Sequence, residues 1–118
     1  MEIKVFESND KLFAEIISDK IIIENVQDAL DLMANCNFQG ANRIILYKEQ
    51  INADFYDLKT GLAGEILQKF SNYRCFLAII GDFSNIQSKS LRDFIFESNK
   101  TGRVCFVKSI EEAMEKIA

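Results

Sequence analysis

Apolar and polar residues alternate over Ile3-Lys4-Val5-Phe6, pause at Ser8-Asn9-Asp10, and return in Leu12-Phe13-Ala14-Glu15-Ile16-Ile17. Two short runs around a polar turn predict a β-hairpin. Ile21-Ile22-Ile23 either extends the second strand or fills the approach to the next element. Asn25 then stands as an N-cap before the helical stripe Val26, Ala29, Leu30 and Met33, which ends near Asn37 and Gly40. Arg-Ile-Ile-Leu-Tyr at 43–47 reads as a strand, and the apolar run 75–80 reads as one buried on both faces. Leu91, Phe94, Ile95 and Ser98 form the inner side of a helix over 88–99, and Gly102 ends that segment. Residues 103–107 form the last strand. Ser109 and Glu112 make a capping box for a final helix striped by Ile110, Ala113, Met114 and Ile117. The predicted order is β-β-α-β-α-β-α-β-α: an α/β fold in a single domain over residues 1–118, with a mixed, mostly parallel five-stranded sheet flanked by helices.

One stretch disturbs the pattern. Residues 54–67, Asp-Phe-Tyr-Asp-Leu-Lys-Thr-Gly-Leu-Ala-Gly-Glu-Ile-Leu, have a helical rhythm yet carry Gly61 and Gly64. On a helix advancing about 100° per residue, Leu58, Leu62, Ala63, Ile66, Leu67 and Phe70 fill one half-turn. Gly61, Gly64 and Gln68 then share an opposite arc about 60° wide. Each glycine costs about 0.5–1 kcal/mol relative to alanine in a helix interior. Three readings account for them. The helix starts later, near Gly61, and the glycines serve the loop; or their smooth face admits another chain or helix; or Lys59, Thr60 and the first-turn N–H groups cradle an anion or phosphate.

Composition narrows the chemistry. The 118 residues contain no histidine, which excludes Ser-His-Asp and Cys-His nucleophiles and histidine-ligated zinc. Cys36, Cys75 and Cys105 are widely spaced without a CxxC, as expected of reduced thiols. A net charge of −4 with scattered basic residues argues against nucleic acid and anionic lipid as partners. No long apolar run or basic leader is present, so the expected location is cytoplasmic, with no membrane association. No cofactor is expected.

A second polar cluster, Gly81-Asp82-Phe83-Ser84, follows the central strand and therefore shares the carboxyl edge of the sheet with the glycine segment. It reads either as a solvated turn or as a polar site joining Asp82 and Ser84 to Asp57 or Thr60. Asp57, Asp82 and Glu49 are the acids that could converge on magnesium. Lys89, Arg92, Asp93 and Glu97 lie on the outward side or at the start of the following helix. Phe96 is either a surface aromatic that a partner covers or a contact to a neighbouring helix.

Residues 55–70, Gly81-Asp82-Phe83-Ser84, residues 88–95 and Glu97-Ser98-Asn99 resemble the bacterial family known as domain of unknown function 4180, over nearly the whole chain. More distantly, the element order is similar to the STAS domain of SpoIIAA-type anti-sigma-factor antagonists. In that family an Asp-Ser-Ser/Thr-Gly-Leu-Gly-like turn opens the second helix, and a partner kinase phosphorylates its hydroxyl residue. Here Thr60-Gly61-Leu62 occupies the corresponding place behind Asp57, with Leu58-Lys59 where a small hydroxyl residue would stand. The resemblance implies a regulatory or interaction module with Thr60 as phosphoacceptor.

Three functions stay open. The first is a non-catalytic module that binds a protein through Asp57, Lys59, Thr60, Gly61, Gly64, Asp82, Ser84, Lys89 and Arg92. The second is a domain for a small anion or nucleotide at the same sheet edge, with Asp82 and Asp57 as its chemical groups. The third is self-association through the glycine face.

Overall fold

The computed structural model describes residues 1–118. The chain runs β1 (Glu2–Ser8), β2 (Lys11–Ile17), α1 (Val26–Phe38), β3 (Arg43–Tyr47), α2 (Leu62–Asn72), β4 (Phe76–Ile80), α3 (Lys89–Thr101), β5 (Val104–Val107) and α4 (Ile110–Lys116). This is the α/β order expected from the sequence. The strands lie in chain order, β1-β2-β3-β4-β5, with β1 antiparallel to β2 and all later neighbours parallel. Asn9 and Asp10 take positive φ to close the hairpin, a conformation their short polar side chains tolerate.

Chain order within the sheet decides where the helices go. Successive right-handed crossovers that step in one direction put every connecting helix on the same face. Side chains from α1 and α2 accordingly join one cluster of 20 buried residues that includes Ile16, Ile44, Ile66, Phe70, Leu77 and Ile79, and Phe94 and Ile95 of α3 pack against it. The opposite face is left to α4, which packs Ala113 and Ile117 on Phe13, Ile45, Ala78, Cys105 and Val107. On this second face Phe6 stacks on Phe13, with ring centroids 5.5 Å apart.

The helix starts follow their capping residues. Asn25 and Ser109 accept from the N–H groups of Asp28 and Glu112. In both caps the acid three residues on reaches back one residue further than in the simple box, accepting from Glu24 N–H and Lys108 N–H. Ser88 caps α3 from outside the helix, accepting from Leu91 N–H. Ile21-Ile22-Ile23 does not extend β2; Ile23 instead forms an isolated parallel bridge with Ile51.

The helical run over 58–70 is shortened, and the later start near Gly61 is the reading that the backbone bears out. Three short 3-10 turns, Lys48–Gln50, Ala53–Tyr56 and Leu58–Thr60, link β3 to α2. Gly61 sits at φ +79 and breaks the path before α2 begins at Leu62. The apolar rhythm continues through the break because Phe55 is buried in the core and Leu58 packs against it from the turns.

Candidate functional site

The carboxyl edge of the sheet is built around the turns that follow β3 and β4. Gln50 anchors the first turn: its buried amide donates to Ile16 O and Ser18 O at 3.0 Å and accepts from Tyr47 N–H at 2.9 Å. Phe55, Tyr56, Phe83, Phe94 and Phe106 then form a connected set of rings with centroids 5.1–6.3 Å apart. Lys48 lies against this set, its Nζ 5.1 Å from the Phe83 centroid and 5.8 Å from that of Tyr56. The same ammonium donates to Asp82 O at 3.1 Å, and Tyr56 Oη donates to Lys48 O at 3.0 Å. Gly81 leaves room for the Lys48 stem, since a Cβ there would come within 2.7 Å of Lys48 Cβ.

The sequence-predicted residues fall into separate local groups on this edge. Asp57 accepts from Lys59 N–H at 3.3 Å. Thr60 Oγ1 lies 2.7 Å from Asp54 O and 2.9 Å from Asp57 O and accepts from Leu62 N–H at 3.2 Å. The Thr60 hydroxyl therefore closes the turn that delivers the chain to Gly61. Asp82 accepts from both the Ser84 hydroxyl at 2.5 Å and the Ser84 N–H at 3.0 Å. Those hydrogen bonds, with the more distant Lys48 and Lys108, hold its carboxyl below the ordinary aspartate value of 3.8. No hydrogen bond or ion pair joins Asp57, Lys59 or Thr60 to Asp82 or Ser84. Instead Lys48, Tyr56 and Phe83, which the sequence reading did not single out, connect the two segments.

Glu49, Asp57 and Asp82 are not assembled into a cation cage: no three His, Cys, Asp or Glu side chains group together in that way. Lys89 pairs with Asp93 at 2.8 Å on the exposed side of α3, and Arg92 donates to Ile86 O and Gln87 O. Phe96 does not pack on a neighbouring helix. It is 66% exposed, with Lys100 Nζ 5.8 Å above its ring.

Possible nucleophiles are quiet. All three cysteines are buried free thiols. Burial, with a smaller effect of Cys75, pushes the Cys36 thiol up to about 12. Burial also raises Cys105, and it raises Cys75 against the opposing pull of Asn37 and Arg103. Tyr56 is raised by burial, then by Glu49. On the α4 side, Tyr47 Oη donates to Glu15 at 2.6 Å, and burial together with that carboxylate pushes the phenol up to about 12. These groups remain protonated near neutral pH, and the one carboxylate hydrogen-bonded to any of them, Glu15 on Tyr47, raises the phenol's pKa rather than lowering it.

The two glycines part company. Gly61 needs its positive φ, whereas Gly64 is inside α2, exposed, with nothing within 4 Å of where its Cβ would be. Gly64, Leu67, Gln68 and Ser71 form one wall of an open groove of about 370 Å³, with Phe94, Glu97 and Thr101 of α3 opposite.

The family model described as "Domain of unknown function (DUF4180)" matches residues 8–117. The chain belongs to this family. The match takes in all of the glycine segment, the Asp82–Ser84 turn and both walls of the α2–α3 groove. No curated protein and no solved structure gives a significant match. No helix of this family member is long and apolar enough to cross a membrane.

Proposed function

We propose that the chain is a non-catalytic interaction module, STAS-like in its order of elements, which binds a protein through the start of α2 and the groove that α2 forms with α3. Gly64 carries this reading. It has ordinary helical geometry and no close neighbour, so the fold gains nothing from its missing side chain. A helix-interior glycine nonetheless costs about 0.5–1 kcal/mol relative to alanine. Close approach of a partner backbone along Gly64 offsets that cost. The quiet thiols, the engaged Thr60 hydroxyl and the dispersed carboxylates favour binding over chemistry at the same edge. Lys59, Asp57, Asp82, Ser84, Lys89 and Arg92 form the polar rim of the contact.

A phosphoryl group on Thr60 would act by undoing a turn. The hydroxyl faces the Asp54 and Asp57 carbonyls, and a phosphate oxygen in its place has no proton to donate. The turn would open and reshape the start of α2.

Affinity capture from a native extract tests the proposal by comparing wild type with Gly64→Ala and Gly64→Leu. The expected result is a partner kept by wild type and lost by Gly64→Leu, while circular dichroism and thermal unfolding show both variants folded. A partner retained by folded Gly64→Leu overturns the reading.

A further inference from the structure

The opposite end of the sheet has a different composition. The chain reaches it in the β1–β2 hairpin turn, which carries Asp10 and Lys11, and in the three helix-to-strand turns from α1 to β3, α2 to β4 and α3 to β5. Residues 38–43 read Phe-Gln-Gly-Ala-Asn-Arg, 72–76 read Asn-Tyr-Arg-Cys-Phe and 101–104 read Thr-Gly-Arg-Val. These segments contain no lysine, aspartate or glutamate, yet they hold three of the four arginines in a chain of net charge −4. They also present the most exposed aromatic side chain of the protein, Phe38 at 93%, and Tyr73 at 59%.

The arginines are held in a specific arrangement. The strands on either side of β4 bring Arg43 and Arg103 to the same Phe76 ring, with guanidinium carbons 4.9 and 4.3 Å from its centroid. Arg43 donates from Nε to Ile117 O and from one terminal nitrogen to Asn42 Oδ1. Arg103 donates to Cys75 O. A guanidinium lying on a ring keeps its remaining in-plane N–H groups directed outward, and its rotamer freedom is already spent. Arg74 is exposed at positive φ between them in the sequence of strands. None of the three pairs with a carboxylate, because the only ion pair in the protein is Lys89–Asp93. Asp10 on the adjoining hairpin and Glu97, which lines the α2–α3 groove together with Arg103, pair with none of them. Beside the arginines, Tyr73 and Asn37 share an open cleft of about 420 Å³ with Leu30, Met33 and Ala34.

We propose that this amino-terminal end of the sheet binds a short acidic segment of another protein, with carboxylates on Arg43, Arg74 and Arg103 and an apolar or aromatic side chain against Tyr73 and Phe38. Arginine and aromatic residues without lysine or acids are the composition of binding hot spots. Planar forks favour bidentate carboxylates. A polyanionic nucleic acid fits less well: three cations neutralise few phosphates, and the chain as a whole repels the rest. This surface adjoins the α2–α3 groove, which Thr101 and Arg103 also line, whereas Arg43, Arg74, Phe38 and Tyr73 lie outside it.

The test uses a fluorescein-labelled dodecapeptide of alternating glutamate and tyrosine, fluorescence anisotropy, and amide chemical shifts of the labelled protein. Saturable binding is expected, weakening as salt rises, with shifts concentrated at 37–43, 73–76 and 102–104. Arg74→Asn, a residue that tolerates positive φ, and Arg103→Gln are each expected to weaken binding by about fivefold. Arg74 does not line the groove, so the loss on Arg74→Asn is expected to be the same in the Gly64→Leu background as in wild type. Absence of saturable binding overturns the proposal. So do shifts confined to the other end of the sheet, equal binding of the lysine-for-glutamate peptide, tighter binding of a single-stranded oligonucleotide, or dimerisation through this face.

Discussion

The two ends of the sheet solve opposite problems. At the carboxyl end, three 3-10 turns and the Asp82–Ser84 turn fold their polar groups back on the protein. Thr60, Asp57, Asp82, Gln50 and the Lys48 ammonium all spend hydrogen bonds internally. At the amino end, short turns hold arginines on an aromatic ring and leave Phe38 and Tyr73 uncovered. Location on an α/β sheet is thus a weak guide to binding by itself. What matters is which polar and aromatic groups the fold has left unspent. The carboxyl end is a structural unit, the amino end is a surface, and the open α2–α3 groove reaches from Gly64 to Arg103 between them.

That contrast is broken most directly by removing one ring from each end. Phe55 is 1% exposed at the centre of the aromatic set. Phe55→Ala should cost about 3–5 kcal/mol in urea unfolding, as truncation of a buried phenylalanine does. Phe38→Ala should stay within about 0.5 kcal/mol of wild type, as surface changes do. A large loss at Phe38 would mean that the amino end is structural too.

The backbone of the carboxyl end gives the next effects. Gly81→Ala places a Cβ against the Lys48 stem and should cost about 1–3 kcal/mol, through overpacking. Gly61→Ala should cost about 1–2 kcal/mol through its left-handed φ alone, with open space around it. Gly64→Ala should go the other way and stabilise by about 0.5–1 kcal/mol. Thermal or urea unfolding of the three variants separates a glycine needed for room, one needed for φ and one the fold does not need. Destabilisation by Gly64→Ala would remove the reason to look outside the chain for its role.

Much of this fold was legible because its signals are local. Asn25, Ser88 and Ser109 mark helix starts through side chains that satisfy first-turn N–H groups, and β4 announces itself as an apolar run bounded by Gly81. The break at Gly61 was one of three readings that the sequence left open, for an equally physical reason. Apolar residues in successive 3-10 turns recur at nearly helical spacing, so Phe55, Leu58 and Leu62 mimic a single stripe. The division of the two glycines needs φ values, which periodicity does not contain. Lys48 meets Phe83 across 35 positions, and Arg43, Phe76 and Arg103 meet only through strand order. No motif in the chain records either contact. The absence of acids from the three helix-to-strand turns at the amino end, by contrast, was readable once the turns were assigned to one edge.

The smallest effect concerns how tightly the carboxyl end holds its own charge. Asp82 is fully exposed, yet the Ser84 hydroxyl, then the Ser84 N–H, then Lys48 and Lys108 hold its pKa below the ordinary 3.8. A depressed folded value means that the contribution to stability is present above the unfolded value. It is lost as pH falls through the folded one. Carboxyl NMR titration should therefore place the Asp82 midpoint below 3.8 in wild type. Ser84→Ala should move that midpoint upward more than Lys48→Met does, because the hydroxyl is a contact and the ammonium acts at a distance through solvent. Asp82→Asn should erase this part of the acid dependence while leaving unfolding at neutral pH close to wild type. If Lys48→Met moved the midpoint further than Ser84→Ala, the ammonium would be directed at the carboxylate rather than at the Asp82 carbonyl. The self-satisfied turn would then be a charge pair open to competition by an external anion, and the two ends of the sheet would differ in degree rather than in kind.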